Sequence, residues 1–399
     1  MGTKKFVSLS AMMFLQYFVW SAWYVTMGTY MTEQLKSSDV QIGAAYSALA
    51  IATMISPFFI GLIADHFFAA EKLMGVLHLV GAALLFLATK IVDNTAFYWI
   101  ILAYSLVYMP TIALSNSVAF SQMNDPGKQF PWIRAFGTVG WIVAGVVVGQ
   151  LAIEKSSSTF LIAAGVSAVL GLMSFALPHT PPKAKIDKSQ PGGATKSSRF
   201  GTEVFDKPYL IFFNSAILIC IPLAFYYGFA NKFLNEINVG NAATKMAMGQ
   251  ASEALFILAI PFLFYRIGVK NMLLLGMSAW ILRYICFAYG DTGANLWMLY
   301  AGIILHGVCY DFFFVTGYMY TERKAGDKVK NAAQGLFTFA TYGLGMFIGT
   351  WVSGFVADKY KIGDTHNWKN IWLVPAVIAG AVLTYFILFF KEKRALKAV

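Results

Sequence analysis

Residues 246–264 read MAMGQASEALFILAIPFLF, and this stretch decides the fold. Its 19 residues approach the roughly 20 apolar positions a helix needs to cross the hydrocarbon core of a bilayer. One residue in it is charged, Glu253. A second stretch repeats the pattern: Asp311 lies between AGIILHGVCY and FFFVTGYMY, residues 301–320. A charge at bilayer depth costs a few kcal/mol or more, so it usually faces a cavity, has a partner and serves a function. Lone carboxylates inside spans suggest a carrier that moves protons or ions with its cargo.

The rest of the chain is built for lipid. Of its 399 residues 58% are hydrophobic and 12% charged, with mean hydropathy +0.63. Soluble domains run at about 45–50% apolar and about 25% charged. The net charge of +11 gathers at Lys4 and Lys5, at 183–207, at 323–330 and at 391–397. Such clusters mark the cytoplasmic face of a membrane protein. No basic surface is interleaved with aromatics, which argues against nucleic acid. Cys220, Cys286 and Cys309 sit in apolar segments without CxxC spacing and read as packing residues. The apolar run from Phe6 past Thr26 lacks the form of a cleavable signal, and Phe6 occupies the position where myristoylation needs Ser or Thr.

Twelve spans follow from the same ruler: roughly 6–32, 40–64, 73–91, 96–122, 131–153, 158–178, 209–235, 244–266, 270–289, 294–320, 331–357 and 368–390. Pro110, Pro222 and Pro261 inside them are tolerable where neighbouring helices satisfy the backbone. Short polar turns such as SSDVQ, DNTA and GDTGAN leave no room for another domain. The one long interruption, 179–208, is rich in Pro, Gly, Ser and Lys and reads as a cytoplasmic linker. It divides the chain into six-helix halves, 1–178 and 209–399. With the N-terminus inside, about 20 basic residues fall on the cytoplasmic side and about 8 outside, placing both termini in the cytoplasm. FGTVGWIVAGVVVG (136–149) and YGLGMFIGTWVSG (342–354) are the Gly-rich fifth helices of their halves, consistent with a repeat. Those glycines equally suit close helix packing.

Motifs along the chain carry a resemblance. Twelve spans split six and six, with Gly61-Leu-Ile-Ala-Asp65 after the second, resemble the major facilitator superfamily. That resemblance implies a gating role for Asp65. A similar string, 354–358, would fall on the opposite face and reads as coincidence. At finer grain, Phe14-Leu-Gln16-Tyr with Trp20 and Trp23, Tyr108-Met-Pro-Thr111, Ile133-Arg134-Ala-Phe-Gly137-Thr138-Val-Gly140-Trp141, Gln250-Ala-Ser-Glu253, Ala279-Trp-Ile-Leu-Arg283 and Tyr310-Asp311-Phe-Phe are similar to the bacterial nucleoside:proton symporters. The resemblance implies that Arg134, Thr138, Trp141, Gln250, Glu253, Tyr310 and Asp311 line the solute site. Where that family places a Gln and an Asn in the seventh span, this chain has Ala224 and Tyr227, and His306 stands in place of a Tyr.

The expected fold is therefore all-α and membrane-integral, with two pseudo-symmetric six-helix bundles of the major facilitator type. The resemblance implies proton-coupled symport of nucleosides or nucleoside-like solutes by alternating access, by a monomer in the bacterial inner membrane. A sugar, polyol or modified nucleoside is the alternative cargo, given Ala224 and Tyr227. Glu253 or Asp311 would carry the proton, since a carboxyl in an apolar cavity can bind and release one as the cavity opens. Tyr227, Tyr226 or Asn231 could replace the lost amides, and Trp141 is the best candidate to stack on a base or sugar. His306 could act on Asp311 or equally be a satisfied core residue, and Arg283 reads as a structural partner, of a backbone carbonyl or of Glu253. No HExxH, P-loop, GxSxG or zinc-spaced Cys/His group occurs, so no enzyme chemistry, metal or cofactor is expected.

Overall fold

The computed structural model describes residues 2–59, 68–181 and 206–391. Most of the expected linker, and Asp65 with its expected gating role, lie outside the described residues. Packing divides the chain into two units, 1–194 with 241–247 and 195–240 with 248–399.

The first unit is helical throughout: α1 Thr3–Tyr24, α2 Met27–Gln34, α3 Asp39–Phe59, α4 Ala70–Ala88, α5 Asn94–Ser121, α6 Pro126–Gln150 and α7 Ser158–Ser174. Side-chain caps set two of the starts. Asp93 accepts from Ala96 N at 2.8 Å and Asp125 from Lys128 N at 3.2 Å, satisfying donors that helix ends leave open. Helix α1 packs on α6 and α7, while α4 packs on α5 and α7. Gly140 makes the α1–α6 approach possible, because a Cβ there would overlap the Phe14 carbonyl. Residues 241–247 join this unit: Ala243 N donates to the buried Glu154 carboxylate at 2.9 Å, and Thr244 Oγ1 donates to Val146 O at 3.3 Å.

The second unit comprises α8 Lys207–Glu236, α9 Ala242–Tyr289 from Met248 on, and a run from α10 to α12. Helix α9 covers two expected spans. It breaks at Gly268, whose φ of +79° is a conformation only glycine adopts at little cost. The tenth and eleventh spans are joined differently from expectation. Helix α10 (Leu296–Tyr310) passes through a π-helical turn at Asp311–Val315 into α11 (Thr316–Thr338), then through a π segment, Phe339–Gly345, into α12 (Met346–Lys359). The polar stretch 321–330, which separates the expected tenth and eleventh spans, thus has helical backbone. Charged residues of that kind are good helix formers, so polarity there marks the end of the apolar run and not of the helix. A two-stranded hairpin unforeseen in the sequence, β1 Lys361–Ile362 and β2 Thr365–His366, turns at Gly363 (φ +60°) before α13 Trp368–Phe389.

Among the described residues, nine helical segments are long and apolar enough to cross a membrane. The other three expected spans fall on α3, on the 17-residue α7 and on the first limb of α9.

Candidate functional site

Backbone contact builds the second-unit cluster. A Cβ on Gly307 would lie 2.6 Å from Glu253 N, so only glycine lets α10 lie this close to α9. Ser252 fastens the contact: its hydroxyl donates to Ile304 O at 2.7 Å and accepts from Gly307 N at 3.1 Å. The register then brings the neighbours of these two residues together, with His306 Nε2 at 3.7 Å from Glu253 Oε2. Gln250, one turn before Glu253, is buried beside them.

Arg283 stands behind His306. It is 0% exposed, and its Nη1 lies 2.9 Å from His306 Nδ1. A guanidinium only donates, so Nδ1 is the acceptor and the proton of a neutral ring resides on Nε2. The guanidinium carbon sits 3.5 Å from the centre of the Tyr226 ring, with Trp280 and Phe287 further out. Aromatic faces thus surround this buried charge. His306 stacks on the same Tyr226 at 5.1 Å, and Tyr227 meets it edge-on at 6.3 Å. Tyr310 lies 5.6 Å from His306 and shares a hydrogen bond with Tyr342.

Asp311 opens the π turn and is 0% exposed. Neither carboxyl oxygen has a hydrogen-bond partner among the described residues. A buried polar group without a partner costs free energy, and π turns concentrate at functional positions. The His306 ring is held between Arg283 and Glu253, and Asp311, on which it was expected to act, makes no hydrogen bond with it. Arg283, read from sequence as structural, meets His306 and not a backbone carbonyl.

In the first unit, Arg134, Thr138 and Trp141 share a face of α6 at four- and seven-residue spacing, all partly buried. The Arg134 guanidinium lies 4.0 Å from the Tyr17 ring centre, in contact with the motif of α1 instead of reaching for the membrane surface. Trp141 packs edge-on against Trp20 at 5.4 Å, and Ser21 Oγ donates to Trp141 O at 2.9 Å. Behind these residues lies a buried network that sequence reading missed. His78 Nε2 is 2.8 Å from Gln16 Oε1, His78 Nδ1 is 3.0 Å from Ser167 Oγ, and Gln16 Nε2 donates to Thr111 Oγ1 at 2.7 Å. Gln16 and Thr111 stand within the sequence motifs, but their link through the lone histidine of the apolar span 73–91 was not foreseen.

The two departures in the seventh span have different fates. Ala224 is buried where α8 meets α12, its Cβ 2.8 Å from where a Gly349 Cβ would stand. Tyr227 reaches the His306 cluster.

Comparison with known proteins bears directly on these residues. The family described as Nucleoside H+ symporter matches residues 1–395. The Escherichia coli K12 protein YegT is 39% identical over 98% of this chain and 94% of its own. The xanthosine permease of the same organism is 36% identical over 96% of this chain and 94% of its own. The crystal structure of the nucleoside transporter NupG superposes with a TM-score of 0.88 at 33% identity, covering 98% of this chain and 100% of that one.

Proposed function

The chain belongs to the nucleoside H+ symporter family, and from that premise we propose that it carries a nucleoside inward together with protons by alternating access. It has the major facilitator fold, and its relatives are transporters, not enzymes. The observation that carries the coupled mechanism is the pair of intramembrane carboxyls. Glu253 faces His306, and Asp311 is fully buried with both oxygens unpartnered among the described residues. A symporter needs a group whose charge can be cancelled before the loaded carrier reorients, and a carboxyl in an apolar surround meets that need.

Arg134, Thr138 and Trp141 on one half, and Gln250, Glu253, His306, Tyr310, Asp311 and Tyr227 on the other, are the residues we assign to the solute. Asp65 is assigned to the cytoplasmic gate. The protein is assigned to the bacterial inner membrane as a monomer, with halves 1–178 and 209–399, a cytoplasmic linker between them, and both termini in the cytoplasm. Nucleosides are favoured over sugars or polyols because relatives at 36% identity and at 34% identity are a xanthosine permease and a nucleoside permease. Tyr227, partly exposed, supplies a ring face suited to a base or ribose.

The test is uptake into vesicles containing purified protein under an imposed inward proton gradient. Labelled uridine, adenosine and xanthosine are tried first, with maltose and sorbitol as competitors. Nucleoside accumulation that sugars do not suppress is expected. Accumulation of a sugar with indifference to nucleosides would keep the carrier and overturn the cargo.

A further inference from the structure

The second unit contains a buried cation that no step of the proposed transport cycle uses. Arg283 is completely enclosed, its charge lies against the Tyr226 ring, and its Nη1 lies within hydrogen-bond distance of His306 Nδ1. His306 in turn is the group facing Glu253. We propose that Arg283, acting through His306, is the positioning residue that sets the pH at which Glu253 exchanges its proton. This deepens the transport reading above and rests on it.

The argument is one of donors and acceptors. Arg283 has only N–H groups to offer, so its contact at 2.9 Å requires a bare lone pair on His306 Nδ1. His306 is thereby held as the tautomer with its proton on Nε2, the nitrogen that faces Glu253 Oε2 at 3.7 Å. Stacking of His306 on Tyr226, the same ring that lies under Arg283, holds the imidazole plane. His306 thus turns an N–H towards Glu253 at 3.7 Å, beyond hydrogen-bond distance and with Nε2 lacking a hydrogen-bond partner among the described residues, so its influence on the carboxyl is electrostatic. The buried positive charge behind it acts in the same direction, favouring the carboxylate. Proton uptake by Glu253 works against both, so this arrangement helps to set how acidic the medium must be for loading.

Other groups face the pair within this unit. Tyr226 and Tyr227 come from α8, Cys309 and Tyr310 from α10, Asp311 from the π turn, and Tyr342 from the second π segment. Of these only Asp311 is a carboxyl, and its charge would act against that of Arg283. The balance between Arg283 and Asp311 is thus local to this cluster.

The experiment compares the pH dependence of proton-driven nucleoside uptake in vesicles for the wild type, Arg283→Gln and Arg283→Lys. Losing the positive charge makes proton binding at the pair more favourable. Arg283→Gln is expected to move the half-maximal pH upward by about one unit, a tenfold change in proton affinity. Arg283→Lys, which keeps the charge, should move it less. A purely structural role would lower the amount of active protein and leave the midpoint in place. An unchanged midpoint in active Arg283→Gln would overturn the inference.

A second measurement stands if Arg283→Gln does not fold. Nitrogen-15 NMR of the intact wild type with labelled histidine, assigned by loss of a signal in His306→Gln, reads the tautomer directly. A bare Nδ1 with Nε2–H supports the relay, and Nδ1–H overturns it. A wild type without proton-driven uptake would instead remove the transport reading, leaving the tautomer measurement to decide the local geometry.

Discussion

At the scale of single residues, the chemistry rests on a few polar atoms held where water is scarce. Asp311 is the extreme case, a carboxyl fully buried at a π turn with no hydrogen-bond partner among the described residues. Such a group is costly to keep, and natural proteins keep it where it works. Asp311→Asn removes the charge while preserving shape. We therefore expect a thermal midpoint equal to or above that of the wild type, with proton-driven uptake reduced at least tenfold. A lower midpoint with transport intact would mean that Asp311 is a structural residue. Glu253 and Asp311 were legible in the sequence because each is a lone acid in an apolar run. The partners of Glu253 were not. The spacing of His306 and Asp311 along one helix suggested that they act together, whereas the packing of α9 on α10 turns His306 to Glu253. A pairing across helices leaves no trace in the spacing along either one.

At the scale of elements, small residues set the distances on which the side chains depend. Gly307 and Ser252 hold α10 against α9, and the contact between Glu253 and His306 follows from that register. Gly307→Val should force the two helices apart. Its effect should resemble a core overpacking, about 1–3 kcal/mol of stability, together with loss of proton-driven uptake. Thermal unfolding and vesicle uptake read the two effects, and a Val variant with normal stability would show that the close approach is dispensable. Most helices were legible, because apolar runs of about 20 residues leave few alternatives. The joins were harder. Gly268 lies in the polar stretch YRIGVKN (265–271) between two expected spans, and its positive φ explains why glycine stands there. The helical backbone across 321–330 was hidden by its charge, since polarity reports the boundary of the apolar run and not the path of the backbone. The Gln16–His78–Thr111 network escaped notice for a similar reason: each member stands on a different helix.

At the scale of the whole molecule, family membership and fold agree with what twelve apolar runs and a polar linker implied. The cargo class was legible through motifs in several helices, above all around Arg134, Gln250 and Glu253. The two seventh-span departures could not be sorted without coordinates. Ala224 lies in a helix contact, and Tyr227 meets the ring of His306. The central claim is that solute movement is driven by protons through the Glu253 site. It is tested most directly by uphill nucleoside accumulation in vesicles with an imposed proton gradient, wild type against Glu253→Gln at equal reconstitution. The account predicts accumulation by the wild type, and in Glu253→Gln a residual flux that no longer responds to the gradient. Gradient-driven accumulation retained by Glu253→Gln would contradict it.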